Sequence, residues 1–458
     1  MTRQKMSYRD HAGALMRLGL PLIGSHVAQF AITMTDTVML GWYDVTALAA
    51  QVLAGGVFFV AFITVSGFAW AVTPIVAEAE ARGDTTQARR ATRMSLWLVC
   101  LFGALVLPVL LFSGPVLRAT GQTEPVAELA QSYLRIAGWG LFPALVVMVF
   151  KSYLSAMEQT RIVLWVTLAA AVINGLLNYL LIFGHLGLPE MGIRGAALAS
   201  ALTQLASAAI MVRYINQKMP DHEMFVRMWR ADWEAFRRIF ALGLPIGLTT
   251  LSEVALFTAS SVMMGWLGEL TLAAHGIALQ ITSFVFMIHI GLSNAATIRA
   301  GRANGARDWA GLRDGALTAL MMAGLVVVLT VILFTGLPRP LIGLFLDPSE
   351  PARDMVIAIG IPLLAAAALF QLADAAQVMA VGLLRGVQDT RVPMIIAVVS
   401  YWGVGVPVAY GLGFGLGWEG VGIWLGLAAG LALAAALMML WFWGRVFPAL
   451  RVRDSVTA

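Results

Sequence analysis

Apolar residues fall into twelve long runs, roughly 14–40, 48–76, 94–114, 130–156, 162–183, 194–214, 239–265, 272–298, 314–336, 355–383, 392–414 and 419–444. A helix needs about 20 apolar residues to cross the hydrocarbon of a bilayer. The pattern therefore predicts an all-α integral membrane protein with twelve transmembrane helices. The polar segments between the runs alternate in charge. With the N-terminus placed in the cytoplasm, one side collects 25 of the 30 Lys and Arg residues; Arg118, Arg135, Arg194, Arg339 and Arg353 lie on the other. Basic residues favour cytoplasmic loops, so this bias predicts that both termini are cytoplasmic, in agreement with the even number of spans.

The hydrophobic pattern also repeats. LGLP at 18–21 recurs at 242–245, and at the same offset VMLGW (38–42) lies over VMMGW (262–266) and Asp84 over Asp308. From Leu18 to Asp84 there are 19 identities in 67 ungapped positions. The chain divides on this pattern into an N-lobe at 1–215 with spans 1–6, a cytoplasmic connector at 216–238, and a C-lobe at 239–458 with spans 7–12. Six spans per half keeps both halves in one orientation, as in transporters built from parallel repeats. Within the connector, MWRADWEAFRR has the spacing of an amphipathic helix that could lie along the inner surface.

Composition sharpens the class. Hydrophobic residues make up 60% of the chain and charged ones 12%, against about 45–50% and about 25% in soluble domains. The net charge of +5 is carried by short loops, so it orients the protein in the bilayer and does not indicate nucleic acid. The basic N-terminal tail runs into a span too long for a cleavable signal. One cysteine, Cys100, excludes a disulfide framework and a cysteine metal site. P-loop, HExxH, GxSxG and glycine-rich nucleotide motifs are lacking, so neither ATP-driven transport nor those enzyme chemistries are expected.

Polar residues inside the spans carry the chemistry, because charge at membrane depth is costly. Asp36 lies in span 1, Glu253 in span 7 and Asp374 in span 10. Asn174 and Asn178 are four apart and share a face of span 5. No Lys or Arg reads as deep in a span; Lys151 comes nearest, placed to snorkel to the inner surface. An acid without a base is either held protonated between helices or exchanges a proton, a metal cation or a cationic substrate. Asp36 with two asparagine carbonyls is an oxygen-only set suited to a hard cation such as sodium, provided spans 1 and 5 meet. Glu253 and Asp374 form a second acidic site for a cation, a proton or a substrate's charge. Gln29, two turns from Asp36, and Ser260, its repeat equivalent, are supporting candidates. Pro21 and Pro245 kink spans 1 and 7 at matching positions and are hinge candidates. His26 and His289 have no acid or Cys at ligand spacing and read as packed or hydrogen-bonded residues.

LGLPLIGSHVAQFAITMTDTVMLGW, its repeat with Glu253, EAEARGD at 78–84 and QTR at 159–161 together resemble the multidrug and toxic compound extrusion (MATE) family. Glu253 and Asp374 match its NorM-like branch, whereas Phe370, one turn before Asp374, stands where some relatives have a tyrosine. The resemblance implies two six-helix lobes in a V around a central cavity and antiport of drugs against sodium ions or protons, with no other cofactor. The expected protein is a monomer of the cytoplasmic (inner) membrane whose partners are small-molecule drugs or toxins, the coupling ion and the lipid bilayer. A cavity with acids and no fixed base favours lipophilic cations by Coulomb attraction, with neutral or zwitterionic drugs as further candidates. A lipid-linked oligosaccharide flippase needs a basic cavity, and a polytopic enzyme needs catalytic groups near one interface. Neither pattern is evident, and acids in two different lobes do not make the ring of a channel.

Overall fold

A computed structural model describes residues 6–119 and 121–457, with side chains to residue 452; Arg3, Lys5 and the side chain of Arg453, counted in the charge bias, lie outside the described residues. Among those residues twelve helices are long and apolar enough to cross a membrane. They are α1 (Tyr8–Tyr43), α2 (Val45–Ala81), α3 (Thr85–Leu111), α4 (Glu124–Ala156), α5 (Thr160–Phe183), α6 (Ile193–Lys218), α7 (Trp233–Leu267), α8 (Glu269–Gly305), α9 (Trp309–Gly336), α10 (Arg353–Gly386), α11 (Arg391–Gly415) and α12 (Glu419–Val452). Each covers one predicted run, and the protein is a multi-pass membrane protein.

Several helices start where the sequence supplies a cap. Asp44 accepts from the Ala47 N–H (2.7 Å) at the start of α2, Asp84 from Gln87 (2.8 Å) at α3, and Asp308 from Gly311 (2.8 Å) at α9. A capping carboxylate satisfies one of the orphan N–H groups of a first turn. The repeated pair Asp84 and Asp308 thus has a structural role in both halves. In α11, the wide turns at Val399–Gly405 and Gly411–Gly415 flank Pro407, where the missing N–H and the ring disfavour a regular helix.

The chain forms two compact units, one Gly24–Gly247 and the other the segment up to Ile23 together with the chain from Leu248 onward. The boundaries fall within three residues of Pro21 and Pro245. Relative to lobes at 1–215 and 239–458, the units exchange the first segments of α1 and α7. Glycine permits the exchange. In the N-terminal unit, Gly67 of α2 meets Gly243 and Gly247 of α7 so closely that a Cβ there would overlap their backbone. In the C-terminal unit, Gly291 of α8 meets Ile23 of α1, and a Cβ would lie 2.8 Å from its nitrogen. Gly67 and Gly291 are repeat equivalents, as are Gly19 and Gly243.

The connector departs from the amphipathic-helix expectation. Residues 224–229 form turns, and WEAFRR is the first part of α7. This segment is tied to α3 and α4 of the N-terminal unit. Trp97 Nε1 donates to the Met228 carbonyl (2.9 Å), Arg93 to the Arg227 carbonyl (3.1 Å), Arg89 to Glu223 (2.6 Å) and Arg90 to Asp232 and Glu234; Tyr153 and His222 share a hydrogen bond of 2.8 Å. Fixed by partners on two other helices, the chain does not need a helix of its own. Glu78 is bound by Arg82 and Arg238.

Candidate functional site

Each unit buries one acidic cluster. In the N-terminal unit, the exposed-to-buried alternation of α1 turns Asp36 inward to 8% exposure. Asn178 of α5 donates through Nδ2 to Asp36 Oδ1 (2.5 Å) and to Asn174 Oδ1 (3.1 Å). Ser200 of α6 donates to Asp36 Oδ2 (3.2 Å), and Asn174 Nδ2 reaches Ser200 Oγ at 3.5 Å. Spans 1 and 5 therefore meet, as the ligand set required, and α6 adds a third wall. Ser25 and Thr167 bind at 2.9 Å two to three turns away, pinning α1 to α5. The Asp36 carboxylate is satisfied by neutral donors. Half a turn of the Asn178 amide exchanges its N and O ends and would present oxygens from Asp36, Asn178 and Ser200 to a cation. No group of three or more His, Cys, Asp or Glu suited to a metal occurs among the described residues. The fit here rests on amide, hydroxyl and single-carboxylate oxygens, the donors of a weakly held hard ion.

In the C-terminal unit, α8 and α10 pack almost backbone to backbone. A Cβ on Gly386 would lie 2.6 Å from that of Ala300, and Ser293 and Thr297 donate across to the carbonyls of Val378 (2.7 Å) and Gly382 (2.9 Å). One turn along both helices, this register sets His289 against Asp374, with Nδ1 3.9 Å from Oδ2. Both residues are at most 1% exposed. Neither Asp374 oxygen and neither His289 nitrogen has a hydrogen-bond partner among the described residues. Glu253 of α7 lies within electrostatic reach of Asp374, and Arg385 within reach of Glu253. Gln371 and Gln377 share the Asp374 face of α10; the first donates to the Thr282 carbonyl (3.3 Å) and the second to the Tyr401 hydroxyl (2.7 Å). Trp402 Nε1 donates to Ser252 Oγ (3.0 Å) beside Glu253. Phe370 packs on Phe257 and Trp424.

Other expected residues lie elsewhere. Gln29 is not part of the Asp36 cluster; its Oε1 faces Lys151 Nζ at 3.5 Å. Ser260 is buried and donates to the Phe257 carbonyl (2.7 Å). The expectation that no base lies deep is corrected twice: Lys151 turns inward to α1, and Arg385 acts on Glu253. Their long side chains carry charge well beyond the turn that bears the Cα. His289 faces an acid from another helix, which spacing within one span cannot reveal. Gln371 and Gln377 did leave a signal, since QLADAAQ places three polar side chains at intervals of three. Ser200, Tyr401 and Ser252 left none, being ordinary residues of helix interiors.

A sequence profile described as MatE matches residues 21–180 and 245–411. The chain is 46% identical over 401 residues to a "Probable multidrug resistance protein NorM" of Rhizobium meliloti, covering 87% of this chain and 86% of the relative. It is 43% identical to a protein of the same description from Agrobacterium fabrum, covering 88% and 87%. Its fold matches a solved structure described as the outward-facing conformation of a multidrug resistance MATE family transporter, with a TM-score of 0.86 at 21% identity over 96% of each chain.

Proposed function

Because the chain belongs to the MATE family of membrane transporters, we propose that it is a secondary active antiporter exporting lipophilic, mostly cationic compounds in exchange for sodium ions or protons. It acts in the inner membrane as a monomer with both termini cytoplasmic. The observation that carries this reading is a buried acid in each unit, Asp36 and Asp374, with no Lys or Arg hydrogen-bonded to either among the described residues. An unpaired carboxylate at membrane depth is retained at a cost, and a carrier that alternately binds an ion and a cationic drug uses such a group.

In this reading Asp36, Asn174, Asn178 and Ser200 bind the coupling cation. Glu253 and Asp374 bind a proton or the positive charge of the drug. An ion entering from outside and a drug entering from inside stabilise different conformations, and their differential affinities set the coupling. Pro21 and Pro245, beside the positions where α1 and α7 pass between units, act as the hinges.

Accumulation of ethidium in cells that lack other efflux pumps tests the proposal. Cells expressing the protein should accumulate less dye, and Asp36→Asn or Asp374→Asn should restore accumulation at equal protein levels. Equal accumulation with and without the protein, or export of anionic compounds alone, overturns it.

A further inference from the structure

The connector carries a basic surface that the transport chemistry leaves unused. Two tight turns follow one another in it. The Val226 N–H donates to the Glu223 carbonyl and the Arg230 N–H to the Arg227 carbonyl, each at 3.0 Å. The first and fourth Cα atoms of such a turn lie within about 7 Å, so Arg227 and Arg230 are neighbours, with Trp229 between them in the chain. Glu223 has φ +42° and Arg227 φ +56°, a left-handed backbone that residues with a Cβ seldom adopt. Arg93 and Trp97 of α3 hold the second turn in this shape through the Arg227 and Met228 carbonyls.

Its charges are sorted. The flanking carboxylates face inward to α3, where Arg89 binds Glu223 and Arg90 binds Asp232 and Glu234. Arg227, Arg230 and Arg237 are exposed and form no ion pair among the described residues. Arg237 lies one turn after Trp233 on the same face of α7. Among these bases Trp229 is 79% exposed and Trp233 64%, and Val226 is exposed beside them. The depth of the turn is fixed as well. Phe225 packs edge-on to Phe150 of α4, six residues inside that helix's end at Ala156, about 9 Å along the axis. Met228 is bound by Trp97, just inside the apolar run of α3 that begins at Met94. The turn therefore lies where polar helix ends give way to apolar spans, the level at which exposed tryptophans meet lipid headgroups.

We infer that the turn Arg227–Arg230 is a binding site for the headgroup phosphate of an anionic phospholipid. The two guanidiniums donate charge-assisted hydrogen bonds to the phosphate oxygens, and Trp229 and Val226 rest against the glycerol and the first carbons of the acyl chains. A lipid with net negative charge is favoured over phosphatidylcholine, whose choline cation the same arginines repel. A soluble phosphate would satisfy the arginines but leave the tryptophan and valine in water. Lipid binding at this turn does not depend on what the protein exports.

Fluorescence quenching in nanodiscs tests it. Purified protein is placed in phosphatidylcholine discs with increasing fractions of phosphatidylglycerol or of phosphatidylcholine whose acyl chains are brominated, which quench tryptophan on contact. The emission lost with Trp229→Phe isolates Trp229 in every variant. The readout is the ratio of the lipid fractions that give half-maximal quenching. Each arginine near an anionic lipid strengthens the attraction about fivefold. Wild-type Trp229 should favour phosphatidylglycerol by about tenfold or more. Arg227→Gln and Arg230→Gln should each lower the preference by about fivefold, the double variant should abolish it, and lysine at both positions should retain most of it. Equal quenching by the two lipids in wild-type protein overturns the inference, since any interfacial tryptophan would give that. So does a Trp229 that neither lipid quenches, or a preference unchanged in the double Gln variant. Millimolar glycerol 3-phosphate should leave the quenching unaltered; if it abolishes the preference, the turn binds soluble phosphate and the assignment to lipid fails.

Discussion

Asp36→Asn removes the single formal charge of the N-terminal cluster and alters little else. The carboxylate accepts from Asn178 Nδ2 at 2.5 Å through Oδ1 and from Ser200 Oγ at 3.2 Å through Oδ2; an asparagine in its place keeps an oxygen for Asn178, and its Nδ2 donates to the Ser200 hydroxyl, which turns to accept. The helix contacts persist, and the thermal midpoint of the purified protein should move by no more than a few degrees. Ion binding should not persist. A unit charge about 3 Å from a cation is worth about 5.5 kcal/mol at an effective dielectric near 20. If desolvation and the substituted amide dipole offset half of this, about 2.8 kcal/mol remains, a loss of about a hundredfold in affinity. Binding of radioactive sodium to purified protein, with and without Asp36→Asn, measures it directly. Affinity within about threefold of wild type in a folded variant would refute the assignment of Asp36 as the charge that holds the cation.

Ser200→Ala deletes one hydrogen bond to the same carboxylate and should weaken sodium binding by about tenfold, the value of a bond to a charged group, in the same assay. Glu253→Gln and Asp374→Asn should each reduce gradient-driven ethidium efflux at least tenfold; if both leave efflux and drug binding unchanged, these acids are structural. Gly386→Ala forces a methyl group toward Ala300 and the Thr297 carbonyl and should destabilise the C-terminal unit by about 1–3 kcal/mol, read as a lower unfolding temperature in detergent. Hydrogen bonds from the Arg90 guanidinium hold the Asp232 carboxyl below its ordinary value of 3.8. The connector's attachment is therefore complete above that value and loosens as pH falls through the depressed one, by less than about 1 kcal/mol at this partly buried surface site. Asp232→Asn should mimic the acid state at neutral pH and speed tryptic cleavage at Arg227 and Arg230.

The spans were legible because lipid demands uninterrupted apolar helices, and the offset of 224 gave the two halves. The exchange of α1 and α7 segments was harder to read. It depends on Gly67 and Gly291 meeting chain more than 170 residues away in each case, and no local pattern encodes such a meeting. Asp36, Asn174 and Asn178 could be found because polar residues stand out in apolar runs and a spacing of four fixes a shared face. Ser200 and Tyr401 could not, since hydroxyls are common in membrane helices. The reach of Lys151 and Arg385 depends on side-chain rotamers. Sequence places only their Cα atoms near the helix ends, which is why the interior looked free of bases. The connector looked helical by its spacing, but Trp97, Arg93 and Arg90 supply partners that turns can use equally well.

The most direct test of antiport is movement of ethidium in proteoliposomes of purified protein, without ATP, under an imposed sodium gradient alone, a proton gradient alone, and neither. The account predicts that ethidium moves against its own gradient when at least one ion gradient opposes it. That movement should be absent without a gradient and lost in the Asp36→Asn, Asp374→Asn double variant. Protein that binds ethidium but moves it identically under all three conditions, always down its own gradient, would contradict coupled exchange.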